Sequence, residues 1–455
     1  MGFVGLYTGL TGVRASQVGI DVTSHNVANA ATPGYTRQRV EFTARASFQH
    51  PAGQIGTGVD ISQIGRLRDT FLDGRARTAF GDLGTHQVRA DLLGRLEALT
   101  GEPDGGISVR LGALWTAAET WANDPGDGPA RRQVLAELGA TADTFRSVSA
   151  QWDALAADVA TQRDVRVTAA NDALQALADL DVRIANADPN RVGTDVFDQR
   201  DRLLDEVATL IGGQVAVGTD GRATVVLDGV ELLDGGAATL SVTPDGTLAA
   251  TTTDGTTHAL GAGLGGELGG LVRVATVDLP AWRGELSALA ATLADTINDI
   301  NVQGVRADGT PGVELLTYDP TDPAGSIKVA TTSLADLAAA TTGTPPAPFD
   351  GTNAQRFADL RHDGVAGGAS IDERFAELVI GLAGDVRSAK AGASASRAVA
   401  VGASLARDAE HGVSLDEEMV GLIRYQRALE AASRVMTTVD EALNVLINRT
   451  GVVGR

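Results

Sequence analysis

The side chains able to do chemistry in this 455-residue chain are few and scattered. Six histidines (His25, His50, His86, His258, His362 and His411) stand far apart. None belongs to a His-Glu-x-x-His zinc motif, and each reads as a surface or helix-end residue in preference to a ligand. Cysteine is absent, which removes thiolate nucleophiles, disulfides and cysteine-ligated zinc together. Only Lys328 and Lys390 are lysine and neither follows glycine, so there is no P-loop; a Gly-x-Ser-x-Gly elbow is also missing. Gly261-Ala-Gly-Leu-Gly-Gly266 has dinucleotide-loop spacing without the strand–helix–strand frame such a loop needs. Tyr318-Asp-Pro-Thr-Asp322 lacks the twelve-residue order of an EF-hand, so calcium is unsupported. The adjacent Glu417 and Glu418 fall in the first turn of a predicted helix, where the macrodipole accounts for them. No catalytic residue, cofactor or metal site is expected.

The helices that might position such residues turn out to be the informative part. Leu6, Leu10, Val13, Gln17, Ile20, Ser24, Val27 and Ala31 recur in steps of three and four, a heptad seam. One position earlier runs a second stripe with almost no bulk, Gly2, Gly5, Gly9, Gly12, Ser16, Gly19 and Thr23, where another helix can approach closely. Each helical glycine costs about 1 kcal/mol relative to alanine, so this helix needs partners to order it. Thr32-Pro-Gly-Tyr35 ends it in a type II turn, followed by strands at 36–42 and 58–64 with a loop between them.

At the other end, Ser414-Leu-Asp-Glu417 is a capping box opening a long helix, with a seam at Leu415, Met419, Leu422, Gln426, Leu429, Ser433 and Met436. Gln17, Ile20, Ser24 and Gln426, Leu429, Ser433 give both seams the same local order. Between the ends, helices are expected at 67–99, 107–123, 194–211, 281–301 and 371–409. A further rod runs from Pro129 to about Asn186, roughly 80–90 Å if unbroken. Asp-Gly pairs at 220, 228, 234, 245 and 254 punctuate short apolar runs and predict hairpins. The expected fold is multidomain α+β: a terminal antiparallel helical coiled coil (1–45 with 411–455), an elongated helical bundle (46–211 with 278–410) carrying an irregular, partly β insertion at 305–369, and a small inserted β domain at 212–277. Thr341-Thr-Gly-Thr-Pro-Pro-Ala-Pro348 reads as a linker.

The net charge of −21 disfavours nucleic acid and anionic lipid as partners. It is unevenly placed: residues 1–45 carry +2, residues 411–455 carry −1, and 46–410 hold −22. Near-neutral apolar helices at both ends of an acidic body suggest termini destined for burial in an assembly. No 18-residue apolar run can span a bilayer, and the amino terminus lacks the cationic region of a cleaved signal peptide.

Ser24-His-Asn-Val-Ala-Asn-Ala-Ala-Thr-Pro-Gly-Tyr35 resembles the amino-terminal signature of flagellar rod, hook and hook-associated proteins, with Asn26, Asn29, Thr32, Pro33, Gly34 and Tyr35 as signature positions. With Thr36-Arg-Gln-Arg39, Asp198-Gln-Arg-Asp-Arg-Leu-Leu-Asp205 and Gly412–Arg427, the chain most resembles the hook-associated protein 1 (FlgK) family; Leu429 stands where that family often has an aromatic. The resemblance implies a structural role, joining hook to filament. It further implies a ring of identical subunits, hook protein on one side and the second junction protein on the other, type III export, and an export chaperone on the carboxy-terminal helix. On this basis Leu6, Leu10, Val13, Ile20 and Val27 are expected to pack antiparallel on Leu415, Met419, Leu422, Leu429 and Met436, while Gly2, Gly5, Gly9 and Gly12 admit an adjacent subunit. The hook and distal rod proteins are the nearest alternatives, expected to be mostly β outside their terminal helices. A secreted enzyme or adhesin on an axial scaffold is the alternative of another class.

Overall fold

The two chain ends meet as a helix pair, and most of what lies between them rests on one long helix. The structure, a computed structural model, describes residues 2–51, 53–186, 193–218, 221–261, 263–341, 350–365 and 368–448. The expected 341–348 linker therefore lies outside the described residues apart from Thr341, as does Asp220 of the first Asp-Gly pair. Helix α1 (Gly2–Ala28) runs into β1 (Gln38–Ala44), which pairs antiparallel with β4 (Val59–Arg66). The expected loop between them is itself a hairpin, β2 (Phe48–His50) on β3 (Gly53–Ile55). Helices α2 (Thr70–Ala98), α3 (Ile107–Asn123), α4 (Gly128–Asn186) and α5 (Thr194–Ile211) follow.

Helix α4 has 59 residues without a break, roughly 90 Å at 1.5 Å per residue. Val134, Leu138, Phe145, Trp152, Val159, Leu174 and Leu177 along it are buried in one continuous core with Trp115, Trp121 and Leu204. Two three-stranded antiparallel sheets follow, β5–β7 (Gln214–Val217, Ala223–Leu227, Val230–Glu231) and β8–β10 (Thr239–Val242, Leu248–Thr251, Thr257–Leu260). Asp228 and Gly229 link β6 to β7 with φ of 51° and 78°. Both are positive, as a type I′ turn requires, which is what an Asp-Gly pair supplies. Val225, Leu227, Leu240 and Leu248 join the same core as the helices, so the β segment does not bury a separate one.

The expected extent of that segment, to residue 277, is corrected. Helix α6 (Gly266–Arg273) begins soon after β10 and continues through a π turn (Val274–Asp278) into α7 (Leu279–Gln303). The helix expected at 281–301 therefore starts earlier, although Pro280 cannot donate to an ordinary turn. A π turn placed before it widens the backbone and lets the helix run through. Gly265, Gly266, Gly269 and Gly270, the part of the sequence with dinucleotide-loop spacing and its continuation, are packing contacts. A Cβ at Gly266 would lie 2.5 Å from the Leu210 carbonyl carbon, and one at Gly270 2.7 Å from the Thr85 carbonyl oxygen.

The remaining elements are α8 (Pro323–Ser326), the two-stranded sheet β11–β12 (Leu316–Thr317, Lys328–Val329), α9 (Thr352–Asp359), α10 (Ile371–His411) and α11 (Leu415–Asn448). Helix α10 starts with the expected Ser370/Glu373 capping box. Buried asparagines fix the irregular 305–341 stretch: Asn301 Nδ2 donates to the Val313 and Asp336 carbonyls, and Asn353 Nδ2 to those of Ile300 and Ala338. Asn171 does the same for the sheets, exchanging two hydrogen bonds with the Leu240 backbone.

Helix α2 crosses α5 and α6 through Gly81 and Gly84, and a Cβ on Gly84 would sit 2.9 Å from the Thr209 oxygen and 3.0 Å from the Glu267 nitrogen. Both are backbone atoms and cannot swing aside. Gly84→Ala is therefore expected to cost about 1–3 kcal/mol, seen as a lower urea midpoint. Gly112→Ala in α3, where a Cβ meets nothing within 4 Å, should raise that midpoint by up to about 1 kcal/mol.

Candidate assembly interface

The bulk-free stripe of α1 decides how the two terminal helices meet. A Cβ added at Gly5 would lie 3.2 Å from Val439 Cγ2, at Gly9 2.7 Å from Met436 Cγ, at Gly12 3.2 Å from Ala432 Cβ, and at Gly19 2.7 Å from the Tyr425 ring. Gly421 in turn faces Thr23. Rising numbers on α1 meet falling numbers on α11, so the helices are antiparallel. The half-buried positions of α11 (Leu422, Tyr425, Leu429, Ala432, Met436, Val439, Leu443) step by three and four and form the complementary large stripe.

This corrects two expectations. Gly5, Gly9 and Gly12 do not admit an adjacent subunit, because the chain's own α11 fills that space; Gly2 lies in α1, before the first of these contacts. The anticipated seam of large side chains on both helices also does not form. On α11, Leu422, Leu429 and Met436 share the face turned to α1, but Leu415 and Met419 are exposed. On α1, Leu6, Leu10, Val13 and Ile20 are half-buried and Val27 is exposed. Two large stripes would hold the axes at an ordinary separation of 8–10 Å. A glycine stripe permits closer contact, so the bulky stripe of α1 is displaced from the centre of the pair to its side.

The signature residues build the corner where α1 hands over to the body. Thr32-Pro-Gly-Tyr35 closes with Tyr35 N–H donating to the Thr32 carbonyl (3.2 Å), and Gly34 takes φ 74°. That is a type II turn with proline and glycine at its preferred positions. Asn29 Nδ2 donates to the His25 carbonyl, and Thr32 Oγ1 to Asn29 Oδ1. Asn26 is buried and satisfied on both ends: Oδ1 accepts from Tyr35 Oη (2.7 Å) and Gln38 N–H (3.0 Å), while Nδ2 donates to the Gln38 carbonyl (2.9 Å) and Glu418 Oε2 (3.1 Å). Burial pushes the Tyr35 hydroxyl pKa far up, helped by Asp198, Asp195 and Glu418, so it stays a donor. Glu418, buried in the first turn of α11, also accepts from Arg37 Nε at 2.6 Å.

A second buried network lies beside it, unseen in the sequence as a unit. Asp198 and Asp201 of α5 both accept from Arg66 of β4 (2.8 and 2.7 Å); Asp201 also pairs with Arg68, and Asp205 with Arg77 (2.9 Å) and Arg407 of α10 (2.6 Å). Burial would raise the Asp201 pKa, but Arg68, Arg66 and Arg200 together hold it below the usual carboxylate range. The Asp-Gln-Arg-Asp-Arg-Leu-Leu-Asp segment is thus a clamp for four chain segments, and Gly34 packs on the stem of its Arg202. Among the described residues no group of three or more His, Asp or Glu is arranged to hold a metal ion, and no helix is long and apolar enough to cross a membrane.

Gly9→Leu must force α1 off α11. The expected result is rapid proteolytic cleavage within residues 2–28 of the full chain, while the body keeps the wild-type melting temperature. Asn26→Ala strands buried partners on Glu418 and the Gln38 backbone and should cost about 1–3 kcal/mol in a denaturant titration.

Comparison with known proteins agrees with this architecture. Residues 93–316 match the family described as the flagellar hook-associated protein FlgK helical domain, residues 410–449 the flagellar basal body rod FlgEFG protein C-terminal family, and residues 6–36 the flagella basal body rod protein family. Flagellar hook-associated protein 1 of Bacillus subtilis is 29% identical over 506 aligned positions, covering 100% of this chain and 99% of that protein. The Salmonella typhimurium protein of the same name is 25% identical, covering 68% of this chain and 58% of its own. The structure described as the flagellar hook junction protein FlgK from Burkholderia pseudomallei superposes with a TM-score of 0.65 at 17% identity, over 76% of this chain and all of that one; at that identity it shows the fold alone. Together these matches support a flagellar hook-associated protein with a structural role, not an enzyme.

Proposed function

We propose that the chain is a mechanical joint between hook and filament, built by packing copies of its terminal helix pair side by side as a coiled-coil inner layer. One observation carries this. The pair is closed on its glycine face and open on its apolar ones: Met419 and Ile423 are 50% and 53% exposed, and Val420, Val435, Val445, Leu446 and Ile447 are exposed with them. A protein that remained a monomer would rarely leave so many large apolar side chains of one helix in water. Leu6, Leu10, Val13 and Ile20, half-buried beside α11, extend the same surface along α1.

The domain roles follow that reading: residues 1–45 with 411–455 assemble, the helical body braces them, and the β segment closing at Leu260 stands outermost. The partners are identical subunits in a ring, hook protein on one side and the second junction protein on the other. Export through the flagellar type III route, with a chaperone covering α11 beforehand, suits a chain without disulfides whose assembly surface is a helix pair. Leu422 is the poorer probe, since it faces α1 and its loss confounds pairing with assembly.

The test uses Met419→Asp combined with Ile423→Asp. Both side chains point away from α1, so the variant is expected to unfold within about 0.5 kcal/mol of wild type per substitution. It should nevertheless fail to restore filaments and motility to cells lacking their own copy. A variant that folds, is exported and assembles normally overturns the reading.

A further inference from the structure

Beside these two networks, the joint between the terminal helix pair and the body contains a buried imidazole. His411 is the last residue of α10, 7% exposed, and the chain turns there into α11. Its Nε2 accepts from the Asp69 backbone N–H at 2.7 Å, at the N-cap of α2, and its carbonyl accepts from the Arg37 N–H at 3.0 Å, on the strand arriving from α1. One residue thus ties the outgoing chain, the incoming chain and the first helix of the body. A nitrogen that accepts a hydrogen bond carries no proton, so the latch exists only while His411 is neutral.

We propose that His411 is a proton-operated latch: neutral, it fixes the terminal helix pair on the body; protonated, it loses the Asp69 bond and frees the pair to reorient. The surrounding charges allow this. Arg68, from the link between β4 and α2, and Arg407, one turn back on α10, face the ring as cations, while Asp69 and Asp73 of α2 face it as anions. Asp73 Oδ1 lies 3.8 Å from Nδ1, beyond hydrogen-bond reach, with the Arg68 guanidinium in ionic contact at 2.7 Å, and Arg407 is held by Asp205. The Asp408 carboxylate accepts from Ser404 Oγ and its carbonyl from Gly412 N–H, and the Arg37 guanidinium is taken by Glu417 and Glu418. Burial with the two arginines outweighs the pull of Asp73, lowering the pKa. The sign follows: the unfolded chain binds a proton near pH 6.5 that the closed joint refuses, so the joint is firm above that pH and weakens as pH falls below it.

The experiment is hydrogen exchange by mass spectrometry on the full chain at pH 7.5 and 5.0, after correction for intrinsic exchange rates, compared with His411→Gln, whose amide oxygen accepts without titrating. Wild type is expected to lose tenfold or more protection at 67–70 and 408–416 on acidification, with the α4 core unchanged, while His411→Gln keeps its protection at both pH values. Equal acid loss in His411→Gln, or none in wild type, overturns the proposal. If His411→Gln does not fold, an NMR titration of His411 in the wild-type chain decides: a pKa at or above 6.5 refutes the latch. Neither outcome bears on whether the helix pair assembles, which the Met419 and Ile423 substitutions test separately.

Discussion

The close approach of α1 to α11 is the constraint from which the rest of the terminal architecture follows. Five glycines in one helix make it a poor helix on its own. The same glycines remove the side chains that would hold α11 away. Contact between backbones and large α11 side chains supplies the packing that propensity withholds. Once the small stripe is occupied by the chain itself, the bulky stripe of α1 has nowhere to go but the flank, beside the exposed residues of α11. The helix thus has two unlike faces: small residues pack it on α11, and large residues are left half-buried on its flank.

That arrangement works only if the pair is held at a fixed place on the body, and the holding is polar. Asn26, Tyr35, Gln38 and Glu418 close one network and Arg66, Arg68, Asp198 and Asp201 another. Buried ion pairs of this kind add little net stability over an apolar substitute, because desolvation costs offset their attraction. What they supply is geometry. An apolar contact tolerates sliding, whereas a carboxylate with three arginines in fixed directions does not.

Much of this was legible in the chain. Heptad spacing, the Pro-Gly turn, the Ser370 capping box and the Asp-Gly hairpin all depend on neighbours within a few residues, and local physics fixes them. The bulk-free stripe on α1 was also visible, but which partner it met was not, since a sequence does not say whether the approaching helix belongs to the same chain. The π turn escaped because no local residue pattern marks one, and Pro280 falls just after it. Asp198, Asp201 and Asp205 were noticed as part of a motif, yet their partners Arg66, Arg77 and Arg407 are far away in sequence, and nothing local reports such pairing. Asn171, Asn301 and Asn353 left only a faint trace, an amide placed where a helix would favour an aliphatic residue.

Helix α4 has a thermodynamic consequence of its own. It touches α3, α5, α6, α7, α8 and strands of three sheets, so none of these elements can come loose without uncovering some of its apolar stripe. Opening events there are large and rare, and the body behaves as one cooperative unit. The terminal pair shares no such spine. It is a second unit, coupled to the first through a corner of hydrogen bonds, and thermal motion concentrates between the two. The protein is a stiff block carrying a stiff handle, with its softness confined to the seam that joins them.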